Sequence, residues 1–244
     1  MQIFSKVDIG KVRASNQDAA DAFMLADNVA FAICCDGMGG ARGGDIASEN
    51  AIRIISNYVK NSYSPGMTDD KIALLLKNAI QSANYEIFSI AKAQPALSGM
   101  GTTVVCAFVT DEYAVISHVG DSRAYLVNDS IEQLTSDHSV VQSLIESGKL
   151  SLSDAKTFPE KNVITRALGV EEDVFPDYSI FPISSGDNIL LCTDGLTNFT
   201  ETSDILSAFK ENSIEDVANI LIDKANSGGG GDNISVVIVS QKRG

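Results

Sequence analysis

No run of apolar residues in this chain of 244 approaches the roughly eighteen needed to cross a bilayer as a helix. Residues 1 to 10 (MQIFSKVDIG) alternate polar and apolar side chains, where a secretory leader would set a basic start before a greasy run. Positive charge is scarce: 18 Lys and Arg stand against 32 Asp and Glu, a formal net charge of −14. That balance repels a phosphate backbone and argues against nucleic acid or an anionic membrane as partner. The four cysteines, Cys34, Cys35, Cys106 and Cys192, each sit inside an apolar run and form no CxxC pair. They read as small core residues in a reducing cytoplasm rather than disulfides or zinc ligands. With two histidines, His118 and His138, neither at ligand spacing, zinc is not expected. Low-complexity sequence is confined to Gly228 to Gly231 and there is no linker, so residues 1–244, 44% hydrophobic, read as one domain able to bury a full core.

Segments rich in β-branched residues recur at 1–9, 22–35, 102–109, 113–128, 188–193 and 233–240. Within 102–128 the joints Thr110-Asp111-Glu112 and Gly120-Asp121-Ser122 are too short for a crossover helix, which predicts antiparallel pairs. Two long helices are predicted. Over 45–60, Ala47, Ala51, Ile54, Ile55 and Tyr58 share a face; over 69–92, a stripe from Ile72 to Ile90 repeats at helical period, with Thr68 as N-cap. Further helices are expected at 138–147, 152–157, 202–210 and 214–226, the last opened by a capping-box variant at Ser213 to Asp216. Blocks of strands followed by helix pairs, without regular βαβ alternation, make this an α+β layered protein.

Acidic residues stand where apolar runs stop. Asp36 does so in ICCDGMGG and Asp194 in LLCTDGLTN, Asp121 occupies a turn in HVGDSRAY, and Asp232 opens a strand in GGGGDNISVVIV. Asp and Gly are good turn formers, which would account for any one of these sites. Four together suggest more, because strands of a packed sheet end at a common edge where distant carboxylates converge. Converging carboxylates repel one another in a partly desolvated cleft and call for a divalent cation. An all-oxygen ligand set selects Mg²⁺ or Mn²⁺, and there is no DxDxDG loop of the calcium type.

The glycines of DGMGGARGGD do not form a nucleotide cradle: Arg42 stands where a third glycine is required, and no GK[ST] follows. They suit instead a close approach of the Gly37 carbonyl to a cation beside Asp36. Arg13, in the polar segment KVRASNQDA, is either a surface arginine or a bidentate phosphate clamp.

Taken in order, RASNQDA (13–19), DGMGG (36–40), GTT (101–103), VGDSRAY (119–125), DHS (137–139), NVITRALG (162–169), TDGL (193–196) and GDNIS (231–235) resemble the bacterial branch of the PP2C-type (PPM) metal-dependent Ser/Thr protein phosphatases, from about residue 5 to residue 240. The resemblance implies a four-layer α-β-β-α sandwich of two packed antiparallel sheets flanked by helix pairs. It implies two tightly bound Mg²⁺ or Mn²⁺ ions and a third, weaker one. Asp36 would bridge the pair, the Gly37 carbonyl would serve the first, and Asp194 and Asp232 would hold the second. Asp18 would order water, Asp121 would share the third ion with Asp194, and Arg13 would hold the substrate phosphate. Residues 144–166 would form the variable flap. The implied reaction is hydrolysis of phosphoserine and phosphothreonine by attack of a metal-activated hydroxide, with no phosphoenzyme. Implied partners are phosphoproteins, a Ser/Thr kinase or its targets among them.

Two departures stand out. Met38 occupies the place of a histidine common in eukaryotic members, which leaves the general acid unassigned, and Gln17 that of a glutamate. His118 is expected in the sheet core and His138 as a cap on the helix after Asp137. Two other readings of the chain are a non-catalytic phosphoprotein-binding module and a hydrolase of small phosphate esters.

Overall fold

The computed structural model describes residues 1–39, 43–155 and 157–241. In chain order the elements are β1 (Gln2–Asp8), β2 (Asp18–Ala26), β3 (Val29–Met38), α1 (Gly44–Ser62), α2 (Asp69–Ala93), β4 (Gly101–Thr102), β5 (Val104–Val109), β6 (Tyr113–Val119), β7 (Arg123–Val127) and β8 (Ile131–Gln133). There follow α3 (Val140–Glu146), α4 (Leu152–Ala155), β9 (Asp177–Pro182), β10 (Asn188–Cys192), α5 (Asp194–Thr197), α6 (Thr202–Glu211), α7 (Ile214–Ser227) and β11 (Ile234–Ser240). One sheet has the order β1-β11-β10-β7-β8, the other β2-β3-β5-β6-β9 with β4 paired to the end of β3. The strand pairings are antiparallel.

Period-two alternation builds the layers. In β3, Phe31, Ile33 and Cys35 face α1 and α2, while Ala30, Ala32 and Cys34 face the other sheet. In β11, Ile234, Val236 and Ile238 face α6 and α7, and Val237 and Val239 point into the space between the sheets. Both faces are therefore covered, which is why these strands read as unbroken apolar runs. Small residues on the inner face of β3 let the sheets approach. Of the α2 stripe, Leu76, Ala79, Ile80 and Ile87 are fully buried and Ile90 partly, and each large side chain removed from water there is worth about 1.5–3 kcal/mol.

Several expectations need correction. The apolar segment 22–35 is two strands of a hairpin, β2 and β3, turned at Asp27-Asn28. Segment 113–128 is not a hairpin: β6 lies in one sheet and β7 in the other, and Gly120-Asp121-Ser122 carries the chain across. A three-residue joint serves either purpose, and Gly120, at φ +104 with Thr103 filling the space a Cβ would take, bends the chain out of its sheet. β9 was not anticipated, since DYSIFP is largely exposed and lacks a clean alternation. Thr68 occupies the N-cap of α2 without a side-chain bond, and the Ser213 hydroxyl donates to the Asp216 carboxylate (2.8 Å) instead of receiving a backbone N–H. Ser139, not His138, caps α3, accepting from the Gln142 amide at 3.1 Å. Of the residues read from sequence, Gly40 and Arg42 in the glycine-rich turn and Lys156 lie outside the described residues.

Candidate active site

The acidic residues sit at one edge because both sheets end there. β2 begins with Asp18 and β3 nears its end with Asp36, and the hairpin register sets these two residues opposite one another. In the other sheet, Asp194 comes just past the end of β10, after Thr193, and Asp232 precedes β11, two neighbouring antiparallel strands. Asp121 reaches the same edge from the crossing between β6 and β7. The cleft beside them, about 480 Å³, is lined by Arg13, Gln17, Asp36, Gly37, Met38 and Asp232 among others.

Asp18 is buried and holds the sheets together: its Oδ2 accepts from the Thr193 hydroxyl at 2.7 Å and the Ser235 hydroxyl at 2.9 Å, both from the opposite sheet. Asp36 is fixed through its backbone. Its amide donates to Thr103 Oγ1 (2.9 Å), and its carbonyl accepts from the Thr103 amide and the Thr102 hydroxyl, each at 2.9 Å. Gly37 has no room for a side chain, because a Cβ would lie 2.0 Å from the Gly44 carbonyl oxygen and 2.5 Å from that of Gln17. Asp194 Oδ2 accepts from Asn198 Nδ2 at 2.9 Å.

Burial is the main cause of the titration behaviour, with mutual repulsion adding to it. Burial and the neighbouring Asp194 and Asp232 push Asp18 up to about 7 against the two hydroxyl bonds. Asp121 is pushed up to about 7 by burial and by Asp194 and Asp137. Asp36 is driven well above the carboxylate range by burial and then by Asp18, Asp194, Asp121 and Asp232; Asp194 is raised by burial and Asp232. Asp18 Oδ1 and Asp194 Oδ1 are buried without a hydrogen-bond partner. Orphaned acceptor atoms in a cluster too crowded to ionise alone match the chemistry of a hard divalent cation, so the residues fit such an ion.

Arg13 is not idle at the cleft mouth. Its guanidinium grips Asp232 with Nη2 to Oδ2 and Nε to Oδ1 both at 2.8 Å, which raises its own pKa. Two of five N–H groups are thereby engaged, leaving others for a phosphate oxygen. The loop that presents Arg13 is clipped down by Asn233, a residue that sequence reasoning passed over. Asn233 Oδ1 accepts the Gln17 amide (2.9 Å), and its Nδ2 donates to the carbonyls of Ile9 (2.9 Å) and Ser15 (3.1 Å). Thr193 and Ser235 were missed likewise. Thr193 precedes Asp194 in TDGL and Ser235 lies three residues past Asp232 in GDNIS, the only signal available.

His118 lies in β6, buried as expected, and its Nε2–H donates to the Ser136 carbonyl (2.8 Å). The structure also brings it against His138, ring centroids 4.6 Å apart, with Asp177 close enough for the three to offer ligand atoms within 4.8 Å of one another. That grouping is less suited to zinc than its residue types suggest. His138 Nδ1 accepts the Gly120 amide at 3.1 Å, which places the proton of the neutral ring on Nε2, 3.2 Å from Asp177 and next to the Arg166 guanidinium. His138 thus braces the crossing that holds Asp121. Arg123 and Asp137 form a bidentate pair (2.9 and 2.6 Å) beneath it, so VGDSRAY and DHS are structurally coupled motifs.

A family model described as Protein phosphatase 2C matches residues 11–225. The serine/threonine phosphatase stp of Listeria monocytogenes is 42% identical over 240 residues, covering 97% of this chain and 94% of that protein. The crystal structure of serine/threonine phosphatase Stp1 from Staphylococcus aureus superimposes with a TM-score of 0.93 at 33% identity, covering 99% of this chain and 95% of that one. The catalytic domain of the serine threonine protein phosphatase PstP in complex with 2 manganese ions gives 0.84 at 31% identity, with 97% and 96% covered. With the family model over residues 11–225 and relatives matched over nearly the whole chain, the chain belongs to the protein phosphatase 2C family.

Proposed function

We propose that the acidic edge holds two divalent cations, Mg²⁺ or Mn²⁺, and a third more weakly, in the service of protein serine/threonine phosphatase activity. Asp36 and the Gly37 carbonyl would hold the first, Asp36, Asp194 and Asp232 the second, and Asp121 with Asp194 the third. Supporting this is the convergence of Asp18, Asp36 and Asp194 with two orphaned carboxylate oxygens, together with the manganese complex named for the similar PstP domain. When bound, such cations act as Lewis acids: they make water nucleophilic at neutral pH and draw charge from the phosphoryl oxygens.

The chain's own residues do the rest. Arg13, poised at the cleft mouth, orients the phosphate through charge-assisted bonds. Asp18, aligned by Thr193 and Ser235, has a free Oδ1 with which to accept a hydrogen bond from water at the cleft floor. Met38 lines the cleft but has no proton to give. No side-chain nucleophile is called for: the four thiols are buried and burial pushes them upward. Free buried thiols also suit a reducing cytoplasm. The substrates are phosphoproteins, and a Ser/Thr kinase or its targets are the partners we propose. Among the described residues no helix is long and apolar enough to cross a membrane.

The decisive experiment measures phosphothreonine-peptide and p-nitrophenyl phosphate hydrolysis with Mn²⁺ and then with EDTA. Metal-dependent turnover of both is expected. Binding of the phosphopeptide without turnover would make the chain a recognition module, and turnover of the small ester alone a hydrolase of small phosphates.

A further inference from the structure

Beside the acidic cleft lies a second cavity of about 260 Å³, and Met38 forms part of both walls. Its lining combines apolar Met38, Val170 and Phe175 with the carboxylates of Glu171 and Asp173. Val170 is 46% exposed and Phe175 70% exposed, an unusual state for large apolar side chains on a loop that is tightly held.

That loop is anchored from two sides. Asn84 of α2, itself buried, accepts the Gly169 amide at 2.8 Å and donates to the carbonyls of Glu171 (3.1 Å) and Glu172 (2.9 Å). Leu168 exchanges a pair of backbone bonds with Thr102, at 2.8 and 3.1 Å, right where β4 meets the end of β3. Leu168 and Val174 are buried at either end of the exposed stretch. The wall is thus preformed, and its position relative to Asp36 is set by the same Thr102 that bonds the Asp36 carbonyl.

Charge defines what fits. Among the described residues lining the cavity the one cation, Arg166, is taken up by Asp177 at 2.8 Å and stands against His138. Among the described residues, Glu171 and Asp173 have no ion-pair partner. An apolar floor with an unpaired acidic rim suits a side chain with an aliphatic stem and a cationic head, and the exposed Phe175 ring offers a further cation–π surface.

We propose that this cavity is a specificity pocket for a lysine or arginine flanking the phosphorylated residue of the substrate. It rests on the reading of the acidic edge as the phosphatase centre, because Met38 joins the two. A protein so acidic gains selectivity here by attracting a basic neighbour close to the phosphate.

The test uses the full chain with saturating Mn²⁺ and three substrates. Two are phosphothreonine peptides that differ only in carrying Arg or Glu beside the phosphoresidue, and the third is p-nitrophenyl phosphate, too small to fill the pocket. The wild type should favour the Arg peptide by about tenfold in kcat/KM. Glu171→Lys together with Asp173→Lys should abolish or invert that preference, and Phe175→Ala should raise KM for the Arg peptide several-fold, while both leave p-nitrophenyl phosphate within about twofold. All three side chains are exposed, so folding is not at stake. No preference in the wild type, a preference untouched by charge reversal, or a parallel loss on p-nitrophenyl phosphate would each overturn the pocket. A wild type inactive on p-nitrophenyl phosphate would overturn the reading of the acidic edge, and the pocket with it.

Discussion

Stripped of cations, this protein should lose stability as pH rises. Asp18 and Asp121 are each pushed from 3.8 up to about 7, so the metal-free folded state holds protons that the unfolded chain has released. The stability linked to them is complete below pH 3.8 and is lost as pH climbs through about 7. Ionising one such carboxyl costs about 4 kcal/mol in all, of which about 0.8 kcal/mol falls between pH 6.5 and 8. That upper window is the informative one. Burial lowers His118 and His138 below 6.5, so they give the opposite slope, mostly at lower pH and fading out by about pH 7.5. By themselves the two carboxyls make the metal-free protein about 1.5 kcal/mol less stable at pH 8 than at 6.5, roughly 3–6 °C in Tm for a chain of this length, of which the histidines offset a part near the lower end of the window. Cations bind the ionised cluster, so the Tm gained from millimolar Mn²⁺ should grow across the same window. Scanning fluorimetry in EDTA and in Mn²⁺ at half-unit pH steps measures both. A metal-free Tm that stays flat or rises, or a Mn²⁺ gain equal at every pH, would refute the crowding of these carboxylates.

Three substitutions probe the individual parts. Arg13→Ala should lower kcat/KM on a phosphopeptide by about ten- to a thousandfold at saturating Mn²⁺, through both KM and kcat; unchanged kinetics would leave Arg13 as no more than the partner of Asp232. Asp121→Asn should cut kcat on a phosphopeptide more than on p-nitrophenyl phosphate, whose leaving group needs less protonation, with two cations retained by calorimetry; wild-type rates on both would reduce Asp121 to a crossing residue. Asn233→Ala strands the Gln17 amide and two carbonyls, so denaturant titration should register a loss of about 2–4 kcal/mol, and a smaller change would mean that the loop bearing Arg13 is held some other way.

What the sequence made legible was governed by period and by position. The α2 stripe and the doubly buried runs of β3 and β11 carry their own periodicity, and an aspartate where such a run stops is visible without a structure. The partnership of Arg13 with Asp232 joins residues at opposite ends of the chain, and nothing local to either announces it. The crossing at Gly120-Asp121-Ser122 has the composition of a hairpin turn, and only the opposite sheet assignments of β6 and β7 distinguish the two. β9 is mostly solvent-facing, so it lacks the apolar alternation that reveals a strand, yet it supplies the Asp177 that steadies His138. Asn84 sits among apolar neighbours on α2 and looks like a flaw in the stripe until the loop it holds is seen.

The place of β11 has a consequence for synthesis on the ribosome. It is the last of the described strands in chain order, yet it lies between β1 and β10, and β1 pairs with it over seven residue pairs, Gln2↔Ser240 through Asp8↔Ile234. β1 therefore waits, with its edge open, while the residues between 8 and 234 are made before its neighbour arrives. Asp232, Asn233 and Ser235 arrive with that same final segment, so a nascent chain has neither the last carboxylate nor the clip for Arg13. A chain that stops before Asp232 therefore lacks a carboxylate of the shared edge, the Asn233 clip and the strand that joins β1 to β10.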